Sequence, residues 1–261
     1  MNIKKFALLL YNTYPFLENC VCEYINKYPY ESEMNMIYLT GDTHRDFTRI
    51  DNFCRKYNPT KDDTFIILGD AGINYHGESL DARWKHKLNE LPLTLFCIHG
   101  NHEIRPESIS NYEEIEWNGG FVYNEIKYPF LLFAKDGEVY NLDGKQYIVI
   151  GGAYSVDKYF RLRNGHGWWE DEQPSYEIKQ RTEKKLDDIN WKIDVVLSHT
   201  CPYKYIPREA FIEGIDQSSV DNSTEEWLDF IENQLSYKKW YCAHFHIEKS
   251  IDKMRFLYKE L

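Results

Sequence analysis

Apolar residues in this chain come in short runs that break off at polar turns. Met36-Ile-Tyr-Leu-Thr, Thr64-Phe-Ile-Ile-Leu and Leu93-Thr-Leu-Phe-Cys-Ile each stop just before a glycine and its polar follower: Gly41-Asp42, Gly69-Asp70 and Gly100-Asn101. Runs this short and this continuous predict fully buried strands. Between the first two, Phe47, Ile50, Phe53 and Cys54 recur at helical spacing and predict a helix over about 47–57; the segment from Arg83 to Leu91 predicts another. Strand and helix therefore alternate, which implies a parallel sheet with crossover helices. Such a sheet delivers whatever follows each strand to one edge, where open α/β sheets place their ligands.

The texture changes from Gly120 to Gly152. Phe121-Val-Tyr, Leu131-Leu-Phe-Ala, Glu138-Val-Tyr and Tyr147-Ile-Val-Ile are short strands between Gly, Asp and Asn turns, which predict a meander forming a second sheet. A long loop follows over Lys158 to Ser175, then a helix from Tyr176 to Ile189 and a strand, Asp194-Val-Val-Leu-Ser, ending in His199. Another helix, Ser223 to Leu235, precedes Trp240-Tyr-Cys-Ala-His244-Phe-His246, and Ile251 to Tyr258 reads as a closing strand. Residues 1–33 form an appendage, with Leu17, Cys20, Val21, Tyr24 and Ile25 at helical spacing; residues 34–261 then make one domain of two stacked sheets.

Composition narrows the function classes. The 261 residues are 43% hydrophobic and 28% charged, as in an ordinary globular protein. A net charge of −11 counts against broad binding to extended nucleic acid or anionic membrane, since phosphate backbones select basic surfaces. No stretch has the apolar length of a membrane span. The six cysteines lack zinc-ribbon spacing and read as reduced, which suggests a cytoplasmic protein. Phe6-Ala-Leu-Leu-Leu after Lys4-Lys5 is too short, and lacks the small-residue cleavage site, to be a secretion signal.

The chemistry lies at the strand ends, which supply Asp42, His44, Asp70, Asn101, His102, His199, His244 and His246. Any one of these alone is better explained as a turn residue bonded to backbone. Together they form a mixed N/O set that suits Mn, Fe or Zn and is too nitrogen-rich for Ca or Mg. Leaving His102 aside, seven ligands exceed one ion's needs and fit two that share a carboxylate. His76, His86, His99 and His166 read as packing or surface residues, and the acidic run Glu225–Glu232 as a solvated helix face.

The order Asp-x-His, Gly-Asp, Gly-Asn-His-Glu, a strand-end His and His-x-His resembles the calcineurin-like metallophosphoesterase superfamily over residues 36 to 258. The resemblance implies an α/β protein built as a four-layer α/β/β/α sandwich with two divalent metals, manganese favoured and iron, zinc or nickel possible alternatives. By position it implies that Asp42, His44 and His246 hold one metal and that Asn101, His199 and His244 hold the other, with Asp70 bridging. It implies hydrolysis of phosphomono- or diesters by water activated between the ions, with His102 protonating the leaving alkoxide.

The sequence departs from the family pattern at three places. Ile73 and Asn74 stand where fuller motifs carry the carboxylate that orients the catalytic histidine; Glu103 or Asp46 could take that role. The arginine that follows the motif in phosphoprotein phosphatases is absent, which counts against a protein phosphatase. Ala243 replaces the usual glycine, a harmless change unless the backbone needs a positive φ there. Arg161, Arg163, Trp168 and Trp169 are candidate substrate contacts, since guanidinium groups grip phosphate and indoles stack on bases. The expected substrate is a small phosphoester or nucleotide. The alternatives are a nuclease or polynucleotide-end phosphatase, and a metal-bearing scaffold or partner-dependent subunit docking through residues 1–33.

Overall fold

A computed structural model describes residues 35–76, 78–211 and 217–259; the predicted N-terminal helix and the domain boundary near residue 34 lie outside them. The first half runs β1 (Ile37–Thr40), α1 (Thr48–Tyr57), β2 (Thr64–Ile67), α2 (Glu78–Asn89), β3 (Thr94–Cys97), β4 (Glu113–Trp117), β5 (Gly120–Asn124) and β6 (Leu131–Ala134). The second runs β7 (Val139–Leu142), β8 (Lys145–Ile150), α3 (Lys158–Asn164), α4 (Tyr176–Asp188), β9 (Val195–Ser198), α5 (Ser223–Gln234), β10 (Lys239–Cys242), β11 (Lys249–Ile251) and β12 (Met254–Phe256).

The strands form two six-stranded mixed sheets, ordered β1-β2-β3-β6-β5-β4 and β11-β12-β10-β9-β8-β7. β1, β2, β3 and β6 pair in parallel, as do β8, β9, β10 and β12. Alternation along the strands sorts the core into three layers. Ile66, Leu68, Phe96 and Ile98 face Val149, Val195 and Leu197 between the sheets. Phe65, Ile67 and Leu95 face outward onto Phe47, Ile50 and Phe53 of the α1 region and Leu88 of α2. On the other side Ile148, Val196 and Trp240 pack against Leu186 of α4 and Trp227, Leu228 and Ile231 of α5. The result is the expected four-layer α/β/β/α sandwich.

Three local readings change. The meander does not form a sheet of its own: β5 and β6 complete the first sheet, and β7 and β8 begin the second. The closing segment is a hairpin, β11–β12, because Asp252 adopts a positive φ of 52° and turns the chain. Glu225 is not on a solvated face; it is buried on α5 and accepts a hydrogen bond from Thr200 Oγ1 at 2.7 Å, beside His199. Cys54, Cys97, Cys201 and Cys242 are buried free thiols. No helix among the described residues is long and apolar enough to cross a membrane.

Candidate metal centre

Five parallel strands end at one edge, and their following turns converge there. Asp42 and His44 follow β1, Asp70 follows β2, Asn101 and His102 follow β3, His199 follows β9, and His244 and His246 follow β10. Hydrogen bonds tie the turns to one another, within the first sheet and across to the second. His199 Nδ1 donates to Leu68 O at 2.7 Å, His244 N to Asp42 Oδ1 at 3.1 Å, and His102 N to Asp70 Oδ1 at 2.9 Å. Arg49 of α1 clamps the backbone carbonyls of Asp42 and Tyr258. Four of the seven ligand-type residues lie in the left-handed region: His44 (φ 43°), Asp70 (49°), His244 (66°) and His246 (53°). Left-handed backbone costs of order 1–3 kcal/mol per residue and persists where function requires a particular side-chain direction. Ala243 is not among them, so the alanine is accommodated.

Asp42, His44 and His246 bring their ligand atoms within 4.8 Å of one another. His246 Nε2 is 2.8 Å from Asp42 Oδ2 and 2.9 Å from His44 Nε2, and His44 Nε2 is 3.7 Å from Asp42 Oδ2. Two imidazole nitrogens and a buried carboxylate oxygen on one point are a donor set for a divalent ion. A second convergence joins Asn101 and His199. Asn101 Nδ2 donates to Ser155 Oγ at 2.9 Å, which turns Oδ1 toward His199 Nε2, 2.8 Å away. His199 Nδ1 donates to Leu68 O, so Nε2 is the ring nitrogen turned to Asn101 Oδ1, and an imidazole nitrogen and an amide oxygen side by side can ligate one cation. Asp70 connects the groups: Oδ1 is 3.8 Å from His199 Nε2 and Oδ2 is 3.9 Å from His44 Nε2. His244 stacks edge-on against His199, ring centroids 5.0 Å apart. The residues present therefore fit divalent cations: Asp42, His44 and His246 converge on one point, Asp70 reaches toward His44 and His199, and His102 approaches the His44–Asp70 pair.

His102 stands beside this centre, 5.5 Å centroid to centroid from His44. Its acid neighbour is neither candidate named from sequence. Glu103 is buried beneath the turn, where Oε1 accepts from Gly100 N at 2.9 Å, and burial beside Asp70 and Asp42 raises its pKa well above the carboxylate range. Asp46 accepts from Thr48 N at 3.1 Å at the start of α1. The nearest acid is instead Asp157, whose Oδ1 is 4.0 Å from His102 Nε2. Asp157 Oδ2 accepts from Arg161 Nε at 2.8 Å, and Arg161 Nη2 reaches His102 Nδ1. Ile73, where the family's usual acid is missing, is fully buried in the core under α1 and α2.

Of the four proposed substrate contacts, Arg161 is the one that touches His102 among the described residues. Arg163 is exposed on α3. Trp168 Nε1 donates to Glu172 Oε2 at 2.8 Å, and Glu172 Oε1 accepts from Ser155 N at 3.2 Å, so Trp168 braces the residue that orients Asn101. Trp169 packs edge-on against Tyr75, centroids 5.2 Å apart. The tryptophans therefore fasten the loop rather than line an open platform. Asp157 and Ser155 escaped the sequence reading because neither belongs to a motif. The one available signal was the i, i+4 spacing of Asp157 and Arg161.

Close packing makes this arrangement intolerant of side chains at the glycines. A Cβ on Gly100 would lie 2.0 Å from Asp70 Oδ1 and 2.2 Å from Asp70 N. Gly100→Ala is expected to cost about 1–3 kcal/mol in denaturant unfolding and to weaken metal uptake, because the turn must move away from Asp70. An unchanged midpoint with full metal content would show that the turn has slack.

Protonation works against the fold here. Burial, then the neighbouring His199, lowers the His244 pKa to about 3; burial, then Arg161, lowers that of His102 to about 3. In the unfolded chain an imidazole titrates near 6.5, so the unfolded state takes up these protons first as pH falls. The stability gained by keeping these rings neutral is complete above about 6.5 and is lost as pH falls toward 3. His246 works in the opposite sense, raised by its hydrogen bond to Asp42. The metal-stripped protein should lose thermal stability progressively below about pH 6.5, and His244→Ala should make that decline shallower. Identical pH profiles for the two would contradict the assignment to His244.

No curated protein matches the chain significantly. A family model, calcineurin-like phosphoesterase, matches residues 36–248 of the 261. This span holds both sheets' strands through β10 and all eight strand-end residues. The chain belongs to the calcineurin-like phosphoesterase family, whose members are metal-dependent hydrolases acting on phosphoester bonds.

Proposed function

We propose that the protein hydrolyses small, nucleotide-like phosphomono- or diesters at a two-metal centre held by Asp42, His44, Asp70, Asn101, His199, His244 and His246. The observation that carries this reading is the convergence of Asp42, His44 and His246, whose ligand atoms lie within 4.8 Å of one another, with Asp70 reaching from that group toward His199. When bound, two divalent ions supply Lewis acidity to the phosphoryl oxygens and lower the pKa of water between them. The protein's own groups do the rest. Asp70 orients one carboxylate oxygen toward each ligand group, and the His102 backbone N–H holds it there. Arg161 donates to Nδ1 of the neutral His102 ring and so puts its one proton on Nε2; when Nδ1 exchanges Arg161 for a second proton, the imidazolium can give its Nε2 proton to the departing alkoxide and return to neutral. Asp157 stabilises the positive charge this ring carries when it gains a proton, and holds Arg161 in place. Arg161 also offers its remaining donor capacity to a phosphoryl oxygen.

The net charge of −11 supports a small substrate over a long duplex. The salt dependence of single-stranded DNA binding tests that choice, because few phosphate contacts give a shallow slope. A steep slope would favour a nuclease. Alanine replacement of Arg161 and Arg163 separates their roles: Arg161→Ala should raise KM for the best substrate, and Arg163→Ala should not. An unchanged KM in both would remove α3 from substrate binding.

A further inference from the structure

A cavity of about 390 Å³ is built on the segments just beyond Asp70 and His102, and none of the seven ligand-type residues lines it. That volume falls in the range of small-molecule pockets. Its walls come from Asn74 after β2, Lys85 on α2, Ile104 and Ile109 after β3, and Glu125 and Tyr128 after β5. Ile104 N donates to Asn74 O at 2.9 Å, stitching the two metal-bearing turns together along this wall.

Asn74 is the observation that points to a ligand. It is 2% exposed and has a positive φ of 63°. Its Oδ1 accepts from Tyr112 OH at 3.0 Å, so the amide nitrogen is directed away from that ring, and Nδ2 has no hydrogen-bond partner. Buried amide N–H groups are nearly always satisfied, and one lining a cavity is satisfied by what enters the cavity. Lys85 and Glu125 pair nearby, 6% and 8% exposed. A buried ion pair adds little net stability, since desolvation offsets the attraction, but it puts a carboxylate acceptor on the wall of the same cavity as the Asn74 donor. Ile104, Ile109 and Tyr128 supply apolar surface.

We propose that this cavity binds an uncharged cyclic amide of the nucleobase kind. The ring carbonyl accepts from Asn74 Nδ2, the adjoining ring N–H donates to the Glu125 carboxylate, and the ring faces lie against Ile104, Ile109 and Tyr128. The formal charges on the cavity walls, Asp81, Lys85, Glu125 and Lys127, sum to zero, which favours a neutral ligand. Such a ring comes either as a free nucleoside or as the base of a nucleotide substrate.

The test is calorimetric titration of the metal-loaded, full-length protein with uridine and with inosine. Neither nucleoside has a phosphoester bond, so the result does not depend on the hydrolytic reading. Saturable binding is expected, weakened about tenfold or more by Asn74→Ala through loss of the amide donor. Ala82→Phe, which fills the cavity from the half-buried Ala82 on α2, is expected to abolish it. Circular dichroism establishes that each variant is folded, and loss of binding in either folded variant supports the proposal. No saturable binding of either nucleoside at millimolar concentration, or binding that survives both substitutions, overturns it. Inhibition of nucleotide hydrolysis but not of aryl ester hydrolysis would assign the cavity to the substrate's base; an effect on both would assign it to a free ligand.

Discussion

Asp70→Asn removes turnover, by about 10³-fold or more, while leaving the fold in place. Asp70 is 2% exposed, and its two carboxylate oxygens lie 3.8 Å from His199 Nε2 and 3.9 Å from His44 Nε2, one histidine from each ligand group. The amide is isosteric, so packing survives, but one oxygen and the negative charge that would serve the proposed metal pair are lost. Its Oδ1 still accepts from His102 N if the amide keeps that orientation, which preserves the turn. The check is hydrolysis of an aryl phosphodiester with added Mn²⁺, alongside the metal content of each protein. Turnover in the variant within tenfold of wild type would mean that Asp70 does not join the ions.

His102→Ala is expected to produce a loss that depends on the leaving group. Proton donation contributes about 10²–10⁴-fold where the departing alkoxide is a strong base. A nitrophenolate needs no proton to leave, so an aryl ester should lose much less than an alkyl ester. Asp157→Asn should follow the same pattern about 10–100-fold more weakly than wild type on the alkyl ester, as groups that orient a functional histidine do. The geometry behind this is the Arg161 contact at Nδ1 and Asp157 Oδ1 at 4.0 Å from Nε2. Equal losses on both esters would instead place His102 in phosphate binding, and metal content unchanged in the variant would exclude a role as ligand.

Much of this architecture is legible in the sequence because burial leaves a strong local signature. β1, β2 and β3 are short, largely apolar runs followed by glycines, and burial between helices and another sheet gives strands that continuous apolar character. α1 was readable from Phe47, Ile50, Phe53 and Cys54, all of which are buried. The elements that were missed bury little. β4, Glu113–Trp117, is an edge strand with mostly exposed and charged residues, the usual defence of an open edge. α3 buries none of its residues, and leaves Tyr159, Phe160 and Leu162 exposed, so no periodic core pattern marks it. The sequence therefore predicts a loop there, and Asp157, the acid beside His102, goes unmarked with it.

The two-sheet pairing of the meander was also hidden. Local patterning predicts strands and turns, and only long-range packing decides that β6 joins β3 while β8 joins β9. Glu225 failed for a related reason. An acidic residue in the first turn of a helix favours the dipole and usually faces water, but Thr200 beside His199 supplies a buried donor that sequence cannot locate. The strand-end residues themselves were recognisable by residue type and order; what sequence could not supply was which atoms face one another.

The most direct test of the two-metal reading is to strip the protein of metal and follow hydrolysis of an aryl phosphodiester and an aryl phosphomonoester as Mn²⁺ is titrated back. The account predicts no turnover in the stripped protein, and activity that rises with bound metal and saturates at two ions per chain. Turnover that survives stripping, or that appears while the protein holds no metal, would contradict it.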